Sequence, residues 1–89
     1  MNFEVVLHPK ASRSLAKMQT DLRETIKKAL KELEESPEEK GKRLKPSDFW
    51  RLRIGNYRAI FEIDKGSSRV IILYIGHRKN VYDDFSRLV

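Results

Sequence analysis

Over residues 2–8 the chain alternates, with apolar Phe3, Val5 and Leu7 set between Asn2, Glu4 and Val6. A period of two predicts a strand with one face in a core. Pro9 suits the first turn of a helix, where its missing N–H is no loss. Ala11, Leu15 and Met18 then recur at spacings of three to four, which predicts a short amphipathic helix over residues 10–18. Thr20 is placed to cap a second helix, with Asp21 and Glu24 near its positive end. Leu22, Ile26, Ala29, Leu30 and Leu33 form its apolar stripe. The helix is expected to end near Ser36, because a residue before proline avoids the helical region. Residues 37–48 read as a polar connection.

From Phe49 the period returns to two. Trp50, Leu52 and Ile54 share one face of a strand, and Arg51 and Arg53 share the other. Gly55-Asn56 predicts a tight hairpin turn. On the return strand Tyr57, Ala59, Phe61 and Ile63 point one way, and Arg58, Ile60 and Glu62 the other. After a turn over residues 64–68, residues 69–75 are apolar on both faces, which marks a central strand ended by Gly76. A last helical turn is expected around residues 81–88. The fold class is therefore α+β in a single domain, residues 1–89. A strand, a helical hairpin and a three-stranded antiparallel meander make a mostly antiparallel four-stranded sheet, with the helices on one face.

Charge changes the picture. The 89 residues carry 19 Lys and Arg against 13 Asp and Glu, for a net +6. Residues 1–41 hold eight basic and eight acidic side chains; residues 42–89 hold eleven and five. The whole surplus lies in the second half, which implies an anionic partner there. If the helices cover the Trp50 face, the open face receives Arg51, Arg53 and Arg58. Arg78 stands just past the central strand, and Lys42, Arg43, Lys45 and Lys79 flank the region. Guanidinium is planar, always charged and matched to phosphate, and Tyr74, Tyr82 and Phe85 offer faces on which a base could stack. Cysteine is absent, which excludes disulfides, thiolate metal sites and a cysteine nucleophile. Two histidines argue against a metal-hydrolase site, and Asp83-Asp84 reads as a helix start. No apolar run approaches 18 residues and the N-terminus does not read as a signal peptide, so a cytoplasmic protein with no membrane contact is expected.

The run Trp50-Arg51-Leu52-Arg53-Ile54-Gly55-Asn56-Tyr57-Arg58-Ala59-Ile60-Phe61, followed by Gly76-His77-Arg78-Lys79-Asn80-Val81-Tyr82, resembles the RelE/ParE superfamily of type II toxin–antitoxin toxins, and its RelE branch most. The order of elements agrees with that family along essentially the whole chain. The resemblance implies a ribosome-dependent endoribonuclease that cuts messenger RNA in the A site without metal or cofactor. The 2′-hydroxyl attacks the adjacent phosphorus, leaving a 2′,3′-cyclic phosphate and a 5′-hydroxyl. It implies catalytic roles for Arg58, Arg78 and Tyr82, and RNA contacts from Arg51, Arg53, Lys45, Lys79 and His77. The implied partners are messenger RNA, ribosomal RNA and a RelB-like antitoxin, bound as a heterodimer or heterotetramer that masks the basic site.

Two departures from the family pattern matter. Well-studied relatives carry lysines where this chain has Arg51 and Arg53. Arginine does not give up its proton, so these two supply charge alone. The base then falls to Tyr82, to His77, or to no side chain, and His77, next to Arg78, is expected to face the other way. The spacing from Arg78 to Tyr82 is also shorter than in some relatives. Glu62 is expected to pair with a neighbouring arginine. The rival reading is a ParE-like toxin of the same fold that grips DNA gyrase and cuts nothing.

Overall fold

The computed structural model describes residues 2–45 and 47–86. Strand β1 (Glu4–Leu7) leads to α1 (Pro9–Ala16), α2 (Thr20–Lys31), a 3-10 turn (Glu32–Glu34) and α3 (Pro37–Lys40). Then come β2 (Lys42–Arg43), β3 (Trp50–Ile54), β4 (Tyr57–Asp64), β5 (Arg69–His77) and α4 (Val81–Ser86). The five strands lie in the order β1-β5-β4-β3-β2. Among the described residues β1 and β5 run parallel, and the other pairings are antiparallel. The class agrees with the α+β expectation, with one strand more than the pattern predicts.

The helical hairpin forms as its stripes require. Ala11 and Leu15 of α1, and Ile26 and Leu30 of α2, are buried with Leu33 against Leu52, Ala59, Phe61, Val70, Ile72 and Ile75. Pro9 opens α1, and His8 Nδ1 accepts the Lys10 N–H at 3.2 Å. Thr20 is not the cap of α2. Gln19 has the extended backbone and caps without its side chain, and Thr20 is already helical.

Residues 37–48 are more than a polar connection. Pro37 opens α3 and the chain then adds β2 to the sheet edge, with Lys42 opposite Arg51 and Arg43 opposite Trp50. Gly41 permits this approach: a Cβ there would lie 2.5 Å from the Phe61 ring and 3.1 Å from the Arg51 carbonyl oxygen. Two residues are too few for any period to show in the sequence.

The second sheet face is not left open. Val81 and Phe85 of α4 pack on Ile60, with Leu44, Phe49, Leu73 and Tyr74 around them. Phe49 and Phe85 meet edge to face, their ring centroids 5.0 Å apart. A bulge makes this possible. Ile60 pairs with Tyr74 but Phe61 pairs with Ile72, so Leu73 is an extra residue on β5. Leu73 and Tyr74 therefore both serve the second core, and Ile75 returns to the first. Gly76 does not end β5, which continues to His77.

Candidate functional site

The register sets the cations in opposed pairs. Arg53 lies directly across from Arg58, and Lys42 directly across from Arg51. Directly opposite residues of an antiparallel pair share a face, and like charges there repel. Among the described residues, the ion pairs join Lys27 to Glu24, Arg43 to Asp48, Lys65 to Glu38 and Arg69 to Glu4. None relieves either opposed pair. Glu62 makes no ion pair among the described residues, contrary to expectation; it sits opposite Ile71, four residues along β4 from Arg58.

Arg58 is the one charged side chain buried among the described residues, at 8% exposure. A buried guanidinium is costly unless it is hydrogen-bonded. Its Nη1 donates to the Gly55 and Tyr57 carbonyls, both at 2.9 Å. No buried side-chain nitrogen among the described residues lacks a partner. The remaining N–H groups of Arg58 are accordingly not fully enclosed. Arg78 is exposed, and its backbone N–H donates to the Asn56 carbonyl at 2.7 Å. Both arginines are thus tied to the β3–β4 turn.

Tyr82 comes from α4, which lays it over the same face. Its hydroxyl accepts a hydrogen bond from Arg51 Nη1 at 3.4 Å, and it stays 39% exposed. Tyr74 donates to Asp84 of α4 at 3.4 Å. Burial first, and then the Asp84 charge and hydrogen bond, push the Tyr74 phenol up. Arg51, Arg53, Arg58 and Tyr82 therefore share one sheet face, and Arg78 follows β5 beside the β3–β4 turn. Lys79 is exposed in the turn beside it, whereas Lys45, also exposed, follows Arg43 at the Trp50 end of the sheet; neither makes an ion pair among the described residues. His77 is not brought in. It pairs with Tyr57 on the helix-bearing side, the two rings 5.5 Å apart, and its Nδ1 accepts the Lys79 N–H at 3.2 Å. Arg43 also leaves the group, since it lies opposite Trp50 and binds Asp48 at 3.1 Å.

The site is a surface. A cleft of about 570 Å³ lies at the other end of the sheet, lined by Arg43, Trp50, Glu62 and Asp64 among others, and contains none of the clustered arginines. Among the described residues, no group of three His, Asp or Glu converges to hold a metal ion. Sequence reasoning placed Lys42 only on the flank of this site. It also missed the three turn carbonyls, which no side-chain pattern reveals.

The chain thus sets a helical hairpin on one sheet face and a cluster of arginines on the other. The family model described as the ParE toxin of type II toxin–antitoxin systems matches residues 5–82, and the chain belongs to that family, within the RelE/ParE superfamily. The toxin–antitoxin complex RelBE2 of Mycobacterium tuberculosis contains a chain 26% identical, with a TM-score of 0.79 over 88% of this chain and 93% of that one. A free E. coli toxin RelE with two arginines replaced by alanine is 25% identical, with a TM-score of 0.78 and full coverage of both chains. The chromosomal ParDE system of P. aeruginosa shares the fold at 14% identity, with a TM-score of 0.69 over 84% of this chain and 95% of that one. No curated protein sequence matches the chain.

Proposed function

We propose that this toxin is a metal-independent endoribonuclease that cuts messenger RNA in the ribosomal A site. The observation that carries the reading is the meeting of the Tyr82 hydroxyl with Arg51, 31 positions apart in the chain, beside the anchored Arg58. Unrelieved cation pairs at the same place suit a polyphosphate ligand, because a like-charge cost on the free surface is recovered when an anion arrives.

In this reading the RNA 2′-oxygen attacks phosphorus and the bond to the 5′-oxygen breaks. The 2′-hydroxyl gives up a proton and the leaving 5′-oxygen gains one. The outward edge of Arg58 and the side chain of Arg78 stabilise charge on the phosphoryl oxygens, a kind of donor typically worth about 10²–10³ in rate. Tyr82, with its oxygen engaged by Arg51, moves a proton at the reacting oxygens. His77, on the other side of the sheet, is left without a part in that transfer. Arg51, Arg53, Lys45 and Lys79 hold the RNA backbone. An open surface of this kind needs the ribosome to enclose the reacting phosphate.

A cognate RelB-like antitoxin is the second partner. The relative from M. tuberculosis was solved as a toxin–antitoxin complex, and the opposed cations offer an acidic antitoxin segment a place to lie. The family model, described as a ParE toxin, favours a second reading, in which the same surface binds DNA gyrase without cleavage. Mapping translated messages after induction decides between them. Cuts within codons are expected; intact messages with damaged DNA would establish the gyrase reading.

A further inference from the structure

The carbonyls of Gly55, Asn56 and Tyr57 are consecutive, and all three are taken by the two arginines assigned to phosphoryl charge. Arg58 Nη1 holds the first and third, and the Arg78 backbone N–H holds the second. Gly55 has φ +58, and no atom of the described residues lies within 4 Å of where its Cβ would be. Its side-chain-free state therefore serves backbone conformation and not packing. Tyr57 and His77 close the same end of the sheet from the other side, ring against ring. We infer that the β3–β4 turn is a positioning element, with Gly55 as its key residue, which orients the Arg58 guanidinium and anchors the backbone at Arg78.

The inference rests on the ribonuclease reading and adds a residue that touches no RNA. A β-branched residue resists a positive φ. Gly55→Val should therefore move the Gly55 and Asn56 carbonyls, and with them the Arg58 guanidinium and the backbone at Arg78. Misplacement by about 1 Å costs on the order of 10²-fold in rate. A merely structural role predicts something else: loss of stability in proportion, and no more. Ser68 supplies the matched control, since it too has positive φ, 55°, but lies in the turn at the far end of the sheet.

The experiment compares wild type, Gly55→Val, Gly55→Asn and Ser68→Val by melting temperature, ribosome affinity and single-turnover cleavage of ribosome-bound message. Gly55→Val is expected to lose about 10²-fold in rate with ribosome affinity kept. Gly55→Asn should recover most of the rate, because asparagine tolerates the left-handed region. Ser68→Val should lose comparable stability and keep its rate. A Gly55→Val rate no lower than that of Ser68→Val would overturn the inference. The guanidinium ¹⁵N–¹H resonances of Arg58 give a readout independent of cleavage. They should shift in Gly55→Val and not in Ser68→Val, and unchanged resonances would also overturn it. A wild-type protein that cuts no message sinks the ribonuclease reading alone, and the resonances still decide the role of the turn.

Discussion

Removing the Phe85 ring should release α4 while leaving the domain folded. Helix α4 has six residues, too few to hold together without packing. Ordering them costs roughly 1–2 kcal/mol each, about 6–12 in all. Burial of Val81 and Phe85 returns about 1.5–3 kcal/mol apiece. The Phe49 edge contact adds about 0.5–1.5, the Tyr74–Asp84 hydrogen bond about 1, and backbone hydrogen bonds a few more. The two sides nearly cancel, so α4 is held by no more than a few kcal/mol. Phe85→Ala removes about that much. Because the helix then leaves, the global loss is limited to about 1–2 kcal/mol, not the 3–5 typical of Phe→Ala in an undivided core. Leu33→Ala, in the first core, should by contrast cost about 2–5 kcal/mol. Urea unfolding measures both. Native-state hydrogen exchange should show Phe85→Ala stripping protection from residues 81–86 alone, and cleavage should fall with the loss of Tyr82 from the site. A single cooperative loss of 4–5 kcal/mol, or unchanged α4 protection, would refute the separation of the two cores.

Tyr82→Phe and Tyr82→Ala should be similarly slow, by about 10²–10⁴ in single-turnover rate; a fast Phe variant would reduce Tyr82 to a stacking surface. Arg53→Ala should flatten the salt dependence of ribosome affinity by about one unit of slope; an unchanged slope would mean that Arg53 meets no phosphate. The raised pKa of Tyr74 has a definite sign. The native state keeps a proton that the unfolded chain loses above 10.0, so this contribution is present below that pH and is lost as pH rises through the folded value. Tyr74→Phe should therefore unfold less steeply than wild type on alkaline titration, and identical alkaline limbs would contradict the assignment.

Much of the fold was legible because its periods are local. The stripe from Leu22 to Leu33 specifies a helix face from within one segment. The alternation around Trp50 separates Arg51 and Arg53 from the core because a strand turns each successive residue over. Gly55-Asn56 marks a turn by backbone preference alone. These features need no knowledge of what lies across the sheet. They determine the fold class and the basic face from local sequence alone.

What lay beyond the sequence depends on register and packing between distant segments. The β5 bulge reverses side-chain parity at Leu73 because pairing with β4 slips by one residue, and an apolar run on both faces carries no trace of that slip. The second core hides in residues 44–49 and 81–85, each too short to show a period, and it covers a face the pattern left open. Only that packing carries Tyr82 to Arg51. Arg58 looked like a free surface cation; the turn carbonyls beside it made it a buried, fixed one. Its chemistry is set by where the chain folds back, since a guanidinium's burial and partners belong to its surroundings and not to its place in the sequence.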